Sequence, residues 1–328
     1  MQAKSVRSLP NVPNIQSKIE STDRILIVGG SGFIGQHLAR RCLELTPHVT
    51  SLGFQPNKNW IVPLPNLTAK QCDLQVPSSV AQALKGDSFH YVFNLGGYID
   101  HTPYSEGGRR TIEQHLLGLL NLVDSVERST LKRFVQVGSS DEYGDSPAPQ
   151  SEDMRGSAIS PYAFAKQSAT DFVSMLAKHD KFPGVVTRPF LVYGPGQDRI
   201  RFLPHVITNC LQGKRFPVTP GHQQRDFCYV GDIVEAMLLA ATVDGTEGCV
   251  INVASGVPVS LRQMIDLVVK LVGRGAPDYD ARSYRSGENM ALYADISKAR
   301  ALLNWSPATS LETGLRKTIN YYEELAGA

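Results

Sequence analysis

Features that mark several large classes of protein are missing from this sequence. The five cysteines are scattered and none is spaced C-x-x-C, which argues against a disulfide framework or a zinc site and is typical of thiols in a reducing cytosol. No apolar run approaches the roughly 18 residues that a membrane-spanning helix needs. The formal net charge is +2, so neither nucleic acid nor a membrane surface is predicted as a partner. We therefore expect a cytoplasmic protein without a bound metal.

What the chain does contain is ordinary for a globular protein. Of its 328 residues, 42% are hydrophobic and 20% are charged, which is enough to build a full core. Residues 1–22 include Pro10 and Pro13 but no apolar segment of the kind found in signal peptides. We predict that they form a flexible arm, with docking of the arm as the alternative.

The most informative segment is a glycine-rich turn near the start of the chain. An apolar run at residues 25–28 predicts a strand, Gly29, Gly32 and Gly35 follow with the spacing G-x-x-G-x-x-G, and an amphipathic run at 36–45 predicts a helix. Glycine lets the backbone approach a phosphate closely, and the free N–H groups at a helix start bind the anion. The segment therefore predicts a cradle for the pyrophosphate of a dinucleotide.

Strand-like and helix-like segments alternate along the chain, which is typical of a parallel sheet covered by helices. We predict an α/β fold, a Rossmann doubly wound parallel sheet with a smaller α/β substrate-binding lobe. Strands are predicted at residues 25–28, 48–52, 91–95, 133–137, 184–187 and 249–253, and the main helices at 79–84, 111–127 and 161–179. Residues 23–193 plus about 226–252 are predicted to form the dinucleotide-binding domain, and residues 194–225 plus 253–328 the lobe.

A tyrosine and a lysine, Tyr162 and Lys166, are spaced so that both lie on one face of a predicted helix. A free tyrosine has a pKa of about 10. A nearby lysine and a cationic nicotinamide ring would both favour the phenolate and lower that pKa. The phenol would then exchange a proton with a sugar hydroxyl near neutral pH. Taken alone, this spacing is also common in surface pairs.

A polar segment, Ser139 to Gly144, directly follows a predicted buried strand. Ligands of open α/β sheets bind at the carboxyl ends of the strands. We expect Ser139 to hydrogen-bond the reacting oxygen, and Asp141 and Glu142 to supply an acid or a base. A polar turn that merely caps the strand is the alternative.

Together, these segments resemble the extended short-chain dehydrogenase/reductases that modify nucleotide sugars, the NAD(P)-dependent epimerase/dehydratase family. The resemblance runs from Arg24 to Trp305. It rests on these ordered motifs: Val28-Gly-Gly-Ser-Gly-Phe-Ile-Gly35, Asp73-Leu74, Ser139, Ser160-Pro-Tyr-Ala-Phe-Ala-Lys166, Arg188-Pro-Phe-Leu-Val-Tyr-Gly-Pro195, Arg225-Asp-Phe-Cys-Tyr-Val-Gly-Asp232, Asn252-Val-Ala-Ser-Gly256 and Leu303-Asn-Trp305.

The resemblance implies a role for individual residues. The cofactor pyrophosphate would be held by Gly29, Gly32, Phe33, Ile34 and Gly35, and the adenine by Asp73 and Leu74. Ser139, Tyr162 and Lys166 would form the catalytic set, with Tyr162 as the acid/base and Lys166 also on the nicotinamide ribose. The substrate, a nucleotide-diphosphate sugar, would meet Arg225 and Arg285 at its diphosphate, and Phe216 and Val218 at its base. Paired guanidinium forks suit a dianionic linker. A homodimer through the helices at Thr111 and Pro161 is also implied.

The sequence departs from the family pattern at four places. His115 stands where the family often has Asn, and it would either replace that donor or simply pack. Leu191 replaces a substrate-contacting Asn, and residues 94–97 read Asn-Leu-Gly-Gly, which leaves more room beside the nicotinamide. No acid ends the second strand to bond the ribose 2′-hydroxyl of NAD. Because Lys58 lies close by and the acid is missing, we favour NADP over NAD.

The resemblance implies hydride transfer at sugar C4 and leaves the net reaction open. In the family's dehydratases, an Asp-Glu pair stands one residue further from the Tyr-Gly pair than it does here. The segment at residues 138–144 is similar to that of GDP-4-keto-6-deoxymannose-type reductases, and the missing second-strand acid agrees with a reductase. We therefore favour an NDP-4-keto-6-deoxysugar reductase, with a 4,6-dehydratase or a 4-epimerase as alternatives and a non-catalytic NAD(P)-binding sensor as a remote one.

Overall fold

A computed structural model describes residue 15 and residues 18–55, 63–284 and 287–327 of the chain. In chain order, its strands are β1 (Ile25–Val28), β2 (Val49–Gly53), β3 (Thr68–Gln71), β4 (Tyr91–Asn94), β5 (Arg133–Val137), β6 (Gly184–Pro189), β7 (Leu191–Tyr193), β8 (Arg215–Pro217), β9 (Gln224–Tyr229), β10 (Val250–Val253), β11 (Pro258–Ser260), β12 (Ala276–Asp278) and β13 (Ala291–Leu292). Its α-helices are α1 (Phe33–Leu43), α2 (Pro77–Leu84), α3 (Arg109–Ile112), α4 (Gly118–Ser125), α5 (Pro161–His179), α6 (Phe202–Leu211), α7 (Val230–Thr242), α8 (Leu261–Val272), α9 (Ser297–Leu303) and α10 (Leu311–Gly327).

The main sheet has seven parallel strands in the order β10-β6-β5-β4-β1-β2-β3. Side chains alternate between its two faces. Ile25 and Ile27 pack toward α1 and α7, whereas Leu26 and Val28 pack toward α2, α4 and α5. Because the strand order reverses between β1 and β4, a crevice opens at their carboxyl ends, where ligands of such sheets bind. The predicted Rossmann fold is confirmed.

All six predicted strands are present to within one or two residues, but β3 was missed. Its sequence, Thr-Ala-Lys-Gln, is largely exposed at the sheet edge and carries no apolar run. The helix predicted at 111–127 is also interrupted. A π-helical segment, Glu113–Leu117, separates α3 from α4, and α4 ends at Ser125.

A second group of elements surrounds a separate apolar core. Strand β9 pairs with β7, β11 and β13, while β8 pairs with β12. Helices α6, α8 and α10 contribute side chains to this core. The domain boundaries given above stay a prediction.

The predicted N-terminal arm meets the sheet domain before β1. Ile15 and Ile19 are buried in the same core as β1 and α7, and Lys18 forms an ion pair with Asp244 at 3.3 Å. Ile15, Lys18 and Ile19 therefore contact the sheet domain, while residues 1–14, 16 and 17 lie outside those described, and the flexible arm stays a prediction. Among the described helices, none is both long and apolar enough to cross a membrane.

Candidate active site

The glycine turn between β1 and α1 has the close approaches that demand glycine. Gly29 adopts a φ of +79°, a left-handed conformation that other residues rarely take. A Cβ atom on Gly35 would lie 2.2 Å from the Gly29 carbonyl oxygen, so the turn and the helix touch directly. Gly32 is the N-cap residue of α1, so no side chain at that position caps the free N–H groups of the helix start. The first turn of α1 also carries no acidic residue. The helix start is therefore suited to an anion.

A cavity of about 620 Å³ lies over this turn. Its wall is built from the ends of β1, β2, β3 and β4 and from the helix after β4, and it includes Gly29, Gly32, Asp73 and Leu74. The volume falls within the usual range for cofactor sites. The residues present therefore fit part of a nicotinamide dinucleotide.

Three other residues predicted to hold the cofactor pyrophosphate do not line this cavity. Gly35 is buried beneath the turn, and Ile34 packs against the core under it. Phe33 makes an edge contact with His37, at 5.8 Å between ring centres. Lys58 lies outside the described residues.

Ser139, Tyr162 and Lys166 meet at the carboxyl end of β5. Tyr162 is 4% exposed, and the Ser139 hydroxyl is close enough to the Tyr162 phenol to lower its pKa. The Lys166 Nζ atom donates to the Val137 carbonyl at 2.8 Å and lies 5.8 Å from the centre of the Tyr162 ring. The Ser160 hydroxyl, which accepts from the Ala163 N–H at 3.1 Å, fixes the start of α5 and thereby orients Tyr162.

Burial is the largest cause of the pKa shifts of Tyr162 and Lys166. It raises the pKa of Tyr162, and the neighbouring Asp141 charge raises it further, whereas the Ser139 hydroxyl lowers it. Burial also lowers the pKa of Lys166 to about 8. The sequence argument predicted a lowered pKa for Tyr162. The protein's own groups raise it instead, so any lowering depends on the positive charge of a nicotinamide ring.

Glu142 requires a correction, because it is not available as an acid or a base. Its side chain is fully buried and both carboxylate oxygens are engaged. One accepts from the Ser139 N–H at 2.8 Å. The other accepts from the Thr170 hydroxyl at 2.7 Å and from Arg188 Nε at 2.8 Å. Glu142 therefore holds the turn that carries Ser139.

Asp141 faces the site and has an unpredicted neighbour. Its Oδ2 atom lies 3.6 Å from His101 Nε2, and the His101 ring contacts the Tyr162 ring edge-on at 5.5 Å. Burial raises the pKa of Asp141, while the charges of His101, Lys166 and Arg225 lower it. His101 lies in a polar loop with no periodic or motif signal, and for that reason it was not predicted as a site residue.

His115 lies in the π-helical segment and contacts Tyr162. Its ring meets the Tyr162 ring edge-on at 5.1 Å, and its Nε2 lies 2.9 Å from the Tyr98 carbonyl oxygen. Burial lowers the pKa of His115 to about 3, so the ring is neutral and Nε2–H donates to Tyr98. A Cβ on Gly97 would lie 2.2 Å from this ring, which explains the glycine there. His115 both packs and donates a hydrogen bond.

The residues predicted to bind the substrate differ from one another in their burial and contacts. Arg225 is mostly buried, and its Nη2 donates to Glu288 Oε1 at 2.6 Å. Phe216 requires a correction. It is 2% exposed and packs in the lobe core, so it cannot line a base pocket. Val218 is half-buried beside the same core. Arg285 lies outside the described residues.

Comparison with known proteins places this arrangement in a family. The model of the NAD dependent epimerase/dehydratase family matches residues 25–254, which span the whole seven-stranded sheet. This chain belongs to that family. The predictions of an enzyme of the epimerase/dehydratase family and of a nicotinamide cofactor are thereby confirmed.

Among three relatives of this epimerase/dehydratase family member, two cover 92% of its chain. Uncharacterized UDP-glucose epimerase YtcB of Bacillus subtilis is 27% identical over 316 residues, which cover 92% of this chain and 98% of the relative. UDP-glucuronate 4-epimerase of Thermodesulfobacterium geofontis is 30% identical over 217 residues, covering 65% of this chain and 66% of the relative. The structure of UDP-glucose 4-epimerase from Thermotoga maritima with UDP-glucose is 25% identical, has a TM-score of 0.85 and covers 92% of this chain and 99% of its own.

Proposed function

We propose that this protein is a nucleotide-sugar 4-epimerase that moves a hydride away from sugar C4 and back to it. The observation that carries the proposal is the meeting of the buried Ser139, Tyr162 and Lys166 side chains at the carboxyl end of β5, in a fold that also has a dinucleotide-sized cavity. Relatives described as UDP-sugar epimerases support UDP-hexoses as the substrate class.

The state of the carboxylates supports an epimerase over a dehydratase. Elimination of water across C5–C6 needs an acid and a base in addition to the group that acts on the C4 oxygen. Glu142 is locked between Arg188, Thr170 and the Ser139 N–H, so Asp141 is the carboxylate that remains in this turn. Epimerisation requires no second carboxylate.

In the proposed reaction, Tyr162 takes the proton of the 4-hydroxyl group and later returns it. A bound nicotinamide cofactor would supply reversible acceptance and return of the C4 hydride. Ser139 donates a hydrogen bond to the C4 oxygen while its charge changes. Lys166 adds a buried positive charge beside the phenol ring. Donors fixed in place before the reaction stabilise developing charge without reorganisation.

A 4-keto-sugar reductase is the second candidate, because of the cofactor cavity. Strand β2 ends at Gly53 and is followed by Phe54 and Gln55, so no carboxylate from this strand faces the cavity. A site without that carboxylate tolerates the 2′-phosphate of NADP, and NADPH is the reductant that such a reductase consumes. NADP therefore remains our preferred cofactor for this candidate.

A direct assay separates the two candidates. The purified protein is incubated with UDP-glucose or UDP-glucuronic acid, and with their 4-keto derivatives plus NADPH. Formation of a C4 epimer without NADPH consumption supports the epimerase, and NADPH consumption supports the reductase. If the protein catalyses neither reaction with any of these sugars, both candidate functions are contradicted.

A tyrosine elsewhere in the chain provides a matched control for the catalytic one. Tyr91 is 4% exposed, as Tyr162 is, but its hydroxyl donates to the Lys18 carbonyl far from the cavity. We expect Tyr162→Phe to lower turnover by about 10²- to 10⁴-fold, since a positioned proton donor is lost. Tyr91→Phe should leave turnover almost unchanged. Equal effects of the two substitutions would refute the catalytic role.

We also propose a homodimer formed through α5 and the π-helical segment. Phe164 and Met175 lie eleven residues apart on one side of α5 and are 48% and 43% exposed, and Leu117 is exposed on the neighbouring π-helical segment. Such exposed apolar side chains on adjacent helices favour burial against a second copy. Phe164→Glu should convert a dimer to a monomer in light scattering, and a wild-type monomer would refute the proposal.

A further inference from the structure

One wall of the cofactor cavity is formed by α3 and the start of the π-helical segment. Arg110 and Gln114, one turn apart, both line the cavity there. Neither belongs to a motif identified in the sequence. The other walls come from the glycine turn and the ends of β1 to β4.

Arg110 is the single cation among the described residues that line this cavity, and Asp73 is the single anion. The Asp73 Oδ1 atom already accepts from the Gln75 N–H at 3.0 Å, within its own turn. A dinucleotide brings at least two negative charges to the cavity. The glycine turn offers them only neutral N–H groups, so among the described residues that line this cavity only Arg110 offers a full positive charge.

The adjacent Arg109, unlike Arg110, has an ion-pair partner among the described residues. Arg109 Nε donates to Glu113 Oε1 at 2.7 Å, one turn along the helix, and Arg109 does not line the cavity. No ion pair is seen for Arg110 within the part of the chain that the structure describes, although Asp100 lies close enough for its pKa to be lowered slightly by Arg110. The guanidinium of Arg110 is thus available to a ligand.

Gln114 gives an independent sign that this wall receives a polar ligand. Its Oε1 atom is buried, and no hydrogen-bond partner for it occurs among the described residues. Buried polar atoms in native proteins are normally paired, since an unmet acceptor carries the full cost of its desolvation. A ligand in the cavity that donates a hydrogen bond to Gln114 would satisfy this atom.

We propose that Arg110 binds a phosphate group of the nicotinamide dinucleotide and supplies the positive charge of the cofactor site. A guanidinium fork engages two phosphate oxygens at once, which fixes orientation as well as charge. The inference rests on the nicotinamide cofactor of the proposed function and is independent of which sugar is converted. Both the pyrophosphate and the 2′-phosphate of NADP have the required chemistry.

The test compares Arg110→Gln with Arg109→Gln in the full chain. After co-purified nucleotide has been removed on charcoal, NAD+ and NADP+ are each titrated calorimetrically without any sugar. Loss of a charged hydrogen bond should weaken binding by about 10-fold to 100-fold in Arg110→Gln. Arg109→Gln should bind both within about twofold of the wild type, because Arg109 is exposed and does not line the cavity.

The two titrations also identify the phosphate. Equal weakening of NAD+ and NADP+ assigns Arg110 to the pyrophosphate, and a larger loss for NADP+ assigns it to the 2′-phosphate. Wild-type affinity of Arg110→Gln for both nucleotides overturns the inference, as does equal weakening in Arg109→Gln. Because no sugar is present, a failure of the epimerase proposal would leave these binding constants unchanged and is distinguishable.

Discussion

Replacing Glu142 with glutamine separates a structural role from a catalytic one. In the structure, the carboxylate accepts hydrogen bonds from the Ser139 N–H, the Thr170 hydroxyl and two nitrogens of Arg188, all between 2.7 and 2.8 Å. Glutamine keeps the size of the side chain but removes its charge. It also replaces one acceptor oxygen by an NH₂ group that faces donors.

The expected loss of stability follows from the state of Arg188. That side chain is buried, and its Nη1 atom already has no partner among the described residues, so Glu142 is the main compensation for its charge. Removing one member of a buried ion pair typically costs about 3–5 kcal/mol, because the other charge is left uncompensated. We therefore expect Glu142→Gln to lower the free energy of unfolding by about 3–5 kcal/mol.

Urea unfolding followed by circular dichroism measures this loss, and turnover is assayed at a temperature where the variant stays folded. Glu312→Gln is the control, since Glu312 forms an exposed pair with Arg316 and should cost less than about 1 kcal/mol. The double variant Glu142→Gln with Arg188→Met should recover part of the stability, because no buried charge is left unpaired. An unchanged unfolding midpoint with abolished turnover would refute this reasoning and restore Glu142 as a catalytic group.

Three further substitutions test the site. Burial lowers the pKa of Lys166 to about 8, so wild-type turnover should fall as pH rises through that value and the ammonium loses its proton. The Lys166→Arg variant stays charged, so its pH–rate profile should lack this alkaline limb. An unchanged limb would assign the limb to another group. Gly97→Ala should lower the unfolding midpoint far more than Gly86→Ala. Both glycines have a positive φ, but only at Gly97 would a Cβ lie 2.2 Å from His115. Equal midpoints of the two variants would contradict this contact. The charge of Asp141 raises the pKa of the Tyr162 phenol, so Asp141→Asn should move the acid limb of turnover to lower pH. A move to higher pH would argue against this coupling.

Local sequence was enough to predict most of the fold. The buried strand β1 is a continuous apolar run, and the position of Gly35 follows from its contact with Gly29, which is close to it in the chain. Strand β3 escaped prediction because an exposed edge strand needs no apolar pattern. The π-helical segment, in which the hydrogen bonds run from i to i+5, was not predicted either.

The candidate site was predictable in part for the same reason. Tyr162 and Lys166 are one helical turn apart, and Ser139 ends a recognisable buried strand, so their meeting required only the sheet topology. Asp141 and Glu142, by contrast, are adjacent and chemically alike. Only the packing of Arg188 and Thr170 around one of them shows that Glu142 is structural and Asp141 faces the site.

The sequence alone determined the parallel sheet, the glycine turn and the family, because these depend on residues that are neighbours in the chain or on ordered motifs. The tertiary structure decided the protonation tendencies of Tyr162 and Lys166, the burial of Phe216 and the place of Arg110 on the cavity wall. The physical reason is that desolvation and charge pairing depend on which distant groups surround an atom, and that information exists only after the chain has folded.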